Sequence, residues 1–74
     1  MADLPSIGYR KVLKAFGSLG WKKARQAGSH IILVKEGHWA TLSVPADNPV
    51  AKGTLRSLIR SAGITVEQFV GAMK

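Results

Sequence analysis

Apolar residues between positions 9 and 19 recur at helical spacing. Tyr9, Val12, Leu13, Phe16 and Leu19 form one stripe, and Arg10, Lys11 and Lys14 lie off it. The spacing predicts a first helix. Ser6 or Gly8 stands where an N-cap belongs, and Gly20 where a C′ glycine belongs. The pattern then changes period. Trp21 to Gln26 reads as a strand, and Gly28-Ser29 as a turn. His30 to Glu36 opens with apolar, β-branched residues and reads as a second strand. Gly37-His38 falls between two strand-like runs, where Gly first in a two-residue loop suits a II′ hairpin. Trp39 to Val44 alternates, with Ala40, Leu42 and Val44 on one face and Trp39, Thr41 and Ser43 on the other. Pro45 ends that strand, because proline has no N–H for a central ladder.

The rest of the chain returns to helical spacing. Residues 46–53 form a loop. Thr54 is placed to cap a helix running to Ala62, with Leu55, Leu58 and Ile59 apolar and Gly63 closing it. Thr65-Val66-Glu67-Gln68 fits a capping box, so a last short helix carries Val66, Phe69, Val70 and Met73. The expected fold is α+β: α-β-β-β-α, with a three-stranded antiparallel sheet packed on helices and a short extra C-terminal helix. Short connections between strands make the sheet antiparallel. Such a sheet covers one face and leaves the other open.

Length and charge narrow what this fold does. A chain of 74 residues makes one small domain. At this size folding buries only about 60% of the unfolded chain's surface, so function is expected on the surface and not in a deep pocket. Eleven Lys and Arg face four acids, a net charge of +7, which favours polyanionic partners: RNA, DNA or an acidic protein. Asp3, Glu36, Asp47 and Glu67 are scattered, whereas a two-metal nuclease needs several converging carboxylates. Hydrolytic chemistry here is therefore expected to be metal-independent, with no cofactor. There is no cysteine, so neither a disulfide framework nor a thiolate site is possible. MADLPSIGYRK has no apolar signal core, and the longest apolar run, Ile31 to Val34, is far below the roughly 20 residues that span a membrane. A soluble, cytoplasmic protein without membrane contact is expected.

Three separated motifs carry a resemblance. "RQAGSH" (25–30), "LSVP" (42–45) and "KGTLRSLIRSAGIT" (52–65) occur in the order and spacing of the HicA toxin family, and "GYRKVLKAFGSLGW" (8–21) is similar to that family's first segment. The resemblance covers nearly the whole chain and makes 1–74 a single HicA-like toxin domain. It implies a small mRNA interferase of a type II toxin–antitoxin system, with a fold like the double-stranded RNA-binding domain. It also implies RNA as substrate and a HicB-like antitoxin as partner. The family's catalytic histidine falls on His30. Many members carry a second histidine two residues after the proline that ends the third strand, and Asp47 stands there in this chain.

The chemistry can be argued beside the name. RNA can be cut without metal because its 2′-hydroxyl is a built-in nucleophile. Histidine, with an ordinary pKa of about 6.5, suits the proton transfers. In the resulting assignment His30 is general acid or base for transesterification or hydrolysis. Lys23 and Arg25, two apart on the first strand, share a parity and are expected to face the phosphate. Gly28 lets backbone approach closely, and Ser29 is a candidate donor. Arg56 and Arg60, one turn apart on a helix, form a second basic candidate. The parity of His30 stays open, since the residues that follow it are apolar on both faces. With Ile31 and Leu33 inward, Ile32 and Val34 remain outside as an apolar strip that an antitoxin can cover. His38 reads as a solvated loop histidine. Trp39 reads as a packing residue, with stacking on a base as the alternative. Two other functions fit the composition: a non-catalytic binder of structured RNA, and a basic protein with no nucleic-acid role.

Overall fold

The computed structural model describes residues 4–73. Its order is α1 (Tyr9–Ser18), β1 (Lys22–Ala27), β2 (His30–Val34), β3 (Leu42–Pro45), α2 (Lys52–Ala62) and α3 (Val66–Ala72). The strands form one antiparallel sheet in the order β1-β2-β3. This is the expected α-β-β-β-α arrangement with its short C-terminal helix.

Burial follows the apolar pattern. Val12, Ala15 and Phe16 of α1 and Leu55, Leu58, Ile59 and Ala62 of α2 pack with Ile31, Leu33, Leu42 and Val44 of the sheet. Among the described residues no polar or charged side chain is buried, so the core is wholly apolar. In β2 and β3 buried and exposed positions alternate, as a sheet with one covered face requires. Helix ends obey local chemistry. Gly20 takes a φ of +98° just past α1, and Gly63 takes +74° at the end of α2. Both lie in the left-handed region that terminates helices cheaply only with glycine. Thr65 Oγ1 accepts from the Gln68 N–H at 3.1 Å while Gln68 Oε1 accepts from the Thr65 N–H at 2.8 Å, completing the capping box.

The differences from the sequence pattern have local causes. Helix α2 starts at Lys52 with Ala51 as its N-cap, so Thr54 lies inside the first turn and caps nothing. The side chain of Ser6 does not cap α1; Gly8 is its N-cap, and the Asp47 carbonyl accepts the Tyr9 N–H at 3.1 Å. Trp21 precedes the first strand and does not join it. Its indole is buried edge-on to Phe16, 6.4 Å between centroids, because the core holds more apolar contact for it than the ladder does. The II′-type hairpin falls at Gly28-Ser29: Ala27 pairs with His30, Gly28 has a φ of +60°, and no non-glycine residue has positive φ. Gly37-His38 is instead part of a longer connection over 35–41, in which the Lys35 carbonyl accepts the His38 N–H at 3.0 Å. The second strand therefore stops at Val34 and the third starts at Leu42. Ala40 is still buried and Trp39 and Thr41 exposed, so the alternation read over 39–44 outlasts the ladder itself.

A candidate RNA-facing site on the open sheet

The topology gives the sheet two distinct ends. The tight β1–β2 turn and residues 45–47 share one end with the start of α1. The Ala46 N–H donates to the Ser29 carbonyl at 2.7 Å, fixing the turn against the segment that leaves β3. His30 stands at this end as the first residue of β2, between Ala27 of β1 and Pro45 of β3. The other end holds Trp21, the 35–41 connection and Gly63.

Register resolves the parity of His30. Ile31 and Leu33 are buried and His30 is exposed, so His30 faces outward together with Ile32 and Val34. Directly opposed residues share a face, so Lys22, Arg25 and Ala27 of β1 and Ser43 and Pro45 of β3 complete this outward surface. Arg25 is opposite Ile32 and thus diagonal to His30, a separation of about 7–8 Å that a long side chain spans. Val34, 38% exposed, continues the strip, and Ile32 is half-buried.

The parity expected for Lys23 and Arg25 is broken. Lys23 pairs with Leu33 and Arg25 with Ile32, so Ala24 is an extra residue in β1. This bulge flips the strand between the two cations. Arg25 stays on the face of His30, Lys22 joins it, and Lys23 turns to the face of Leu33. Lys23 is nonetheless exposed, as all of β1 is, because α1 and α2 pack beneath β3 and leave β1 clear. The sequence carries no mark of this bulge, and so it hid Lys22 behind Lys23.

The remaining candidates divide. Gly28 and Ser29 form the turn at His30, where Gln26 Nε2 donates to the Gly28 carbonyl at 3.2 Å. Asp47 is exposed at the same end. Arg56 and Arg60 are exposed on the helical layer, beside a depression shared with Ile59, Ile64, Thr65 and Val66, and not on the outward sheet face. On α1, a hydrogen bond from Arg10 Nε to Tyr9 Oη at 3.4 Å, with the attraction between the two side chains, holds the Arg10 guanidinium above its ordinary range. A groove of about 430 Å³ lies away from the sheet face, lined by Pro5, Ile7, Lys11, Lys14, Val70 and Met73.

His38 and Trp39 exchange the roles read from sequence. His38 is half-buried, its ring 4.9 Å from that of Trp21, and its Nδ1 accepts the Ala40 N–H at 3.1 Å. It is a structural residue and not a solvated one. Trp39 is 93% exposed and packs into no core.

Among the described residues no group of three or more His, Cys, Asp or Glu stands together as a metal site, and no helix is long and apolar enough to cross a membrane. No curated protein matches the chain. The family model described as the HicA toxin of bacterial toxin–antitoxin systems matches residues 9–64, from the start of α1 to just beyond α2 and across every strand. The chain therefore belongs to the HicA toxin family.

Proposed function

We propose that this chain is the toxin of a type II toxin–antitoxin pair and acts as a metal-independent endoribonuclease on mRNA. The observation that carries the reading is the placement of His30: solvent-facing, at a tight glycine turn, diagonal to Arg25 on an uncovered sheet face. The imidazole takes the proton of a ribose 2′-hydroxyl or gives one to the departing 5′-oxygen. In the first role the freed 2′-oxygen attacks the adjacent phosphorus to form a 2′,3′-cyclic phosphate, the P–O5′ bond breaks, and the 5′-oxygen takes a proton from water. The guanidinium of Arg25 offsets the charge that grows on the phosphoryl oxygens. Gly28 keeps the turn low enough for a backbone to approach, and Ser29 offers a donor beside it. Family membership supports RNA as the substrate and an antitoxin as the partner. A HicB-like antitoxin covering Ile32 and Val34 would also occlude His30, which is how we read neutralisation. Arg56 and Arg60 form a second cationic surface, reached only by RNA long enough to leave the sheet.

Purified protein incubated with RNA in excess EDTA tests the reading. Cleavage is expected to persist. Cleavage that stops in EDTA and returns with Mg²⁺ would replace the histidine mechanism with a metal-assisted one. RNA that stays intact under all conditions, yet is bound, would make the protein a non-catalytic RNA-binding domain.

The bulge yields a second expectation. For single-stranded RNA each phosphate contact contributes about −0.7 to the slope of log K against log salt. Arg25→Ala and Lys22→Ala are each expected to flatten that slope by about this amount, and Lys23→Ala to leave it nearly unchanged. Binding measured between 50 and 200 mM salt, roughly the range over which such slopes are read, decides it. A larger loss in Lys23→Ala than in Lys22→Ala would place the phosphate track on the other side of β1.

A further inference from the structure

We propose that Trp39 is a stacking platform for a nucleobase of single-stranded RNA, at the end of the sheet opposite to His30. The proposal rests on the nuclease reading above and adds a second contact point that determines which lengths of RNA bind well.

A tryptophan exposed at 93% leaves most of its apolar surface in water, a state the fold has no reason to hold for packing. A chain of aromatic rings leads to it from the core: Phe69 to Phe16 at 5.1 Å, Phe16 to Trp21 at 6.4 Å, Trp21 to His38 at 4.9 Å, and His38 to Trp39 at 6.2 Å. The last pair is stacked, with 17° between planes. The Ala40 N–H donates to His38 Nδ1 at 3.1 Å, so the imidazole beside the indole is itself held in place. At 93% exposure the indole is open to a planar ligand.

The surroundings select a polyanion with planar groups. Lys22 and Lys35, with Gly20, Val34 and one acid, Glu36, line a depression at the same end of the sheet, two cations to one carboxylate. Along the outward face toward His30 follows Arg25. Cations along a groove with an aromatic at one end are the means by which single strands are held without reading their sequence. The 35–41 connection lies at the end of β2 opposite to His30. The four steps of β2, at about 3.3 Å each, put its far end about 13 Å from His30, and the connection that carries Trp39 lies beyond it. Stacked nucleotides advance about 3.4 Å each, so four or more are needed to join the two rings.

The test uses oligouridylates bound to protein carrying His30→Ala, so that the RNA survives. An 8-mer is expected to bind on the order of tenfold more weakly when Trp39→Ala is added, with Trp39→Phe largely retaining affinity. A trinucleotide, too short to reach from one end to the other, is expected to bind both proteins alike. The 8-mer should also shield the exposed indole from iodide quenching, while buried Trp21 contributes little to the quenched signal. An 8-mer that binds the Trp39→Ala protein as tightly as its parent, while Arg25→Ala weakens it, would overturn the platform and leave the RNA reading intact; Trp39 would then be an anchor for a protein partner. Failure of every variant to bind either RNA would overturn both.

Discussion

His30→Ala is expected to lower RNA cleavage by about 10²–10⁴-fold, the usual contribution of one positioned acid or base. The effect should be confined to chemistry. His30 is exposed, its neighbours across the ladder are Ala27 and Pro45, and no hydrogen bond between its side chain and a described residue supports the fold. Thermal melting of the variant should therefore match the parent's within a few degrees, and affinity for RNA should hold, because Arg25 and Lys22 remain. That combination separates an enzyme from a binder. Glutamine at the same position keeps hydrogen-bonding groups but cannot take or give a proton near neutral pH, so His30→Gln should be as inactive as alanine. A His30→Ala protein that still cuts at the parent's rate would move the chemistry away from the imidazole altogether, and the neighbouring cations would then lose their assigned role.

The site is partly legible in the sequence. Two of its determinants are written in single residues: a glycine able to take φ of +60° before Ser29, and a histidine starting an apolar run. Those fix the turn and put His30 at the mouth of a strand. What the chain does not write is face. His30-Ile31-Ile32-Leu33-Val34 is apolar on both parities after its first residue, and only the helices packed beneath β3 choose between them. The bulge at Ala24 is a property of the pairing between two strands and not of either one, so it exchanged Lys22 for Lys23 without a local sign. The 35–41 connection failed for a related reason. Gly37-His38 has the residues of a tight hairpin, but the chain sets the His38 ring against Trp21 and forgoes the three further ladder pairs 34/41, 35/40 and 36/39. The ends of α1 and α2 and the start of α3 were easier, because a left-handed glycine or a capping box is chemistry within four residues of itself, whereas the start of α2 has no side-chain cap to read.

Phe69→Ala should be among the most damaging changes in the molecule, although it lies outside residues 9–64, which the family model matches. Helix α3 spans seven residues, too few to persist alone in water. Its sole buried residue is Phe69, fully enclosed and 5.1 Å from the Phe16 ring. Removing a buried phenylalanine costs about 3–5 kcal/mol through lost transfer energy and the cavity left behind. A domain of this length has about 4–11 kcal/mol of total stability at the usual 0.05–0.15 kcal/mol per residue. The variant should therefore melt on the order of 20 °C lower and be partly unfolded at growth temperature. The damage should also spread along the aromatic chain, since Phe16 touches Trp21 and Trp21 touches His38. Near-ultraviolet dichroism of the tryptophans would report that loosening before the helices are lost. Thr65→Ala is the control: it removes one arm of the cap and should cost only about 1 kcal/mol. If Phe69→Ala melts no lower than Thr65→Ala, α3 is an appendage and the core closes without it. If it melts far lower, the small basic sheet that presents His30 depends on a helix beyond the residues that the family model matches.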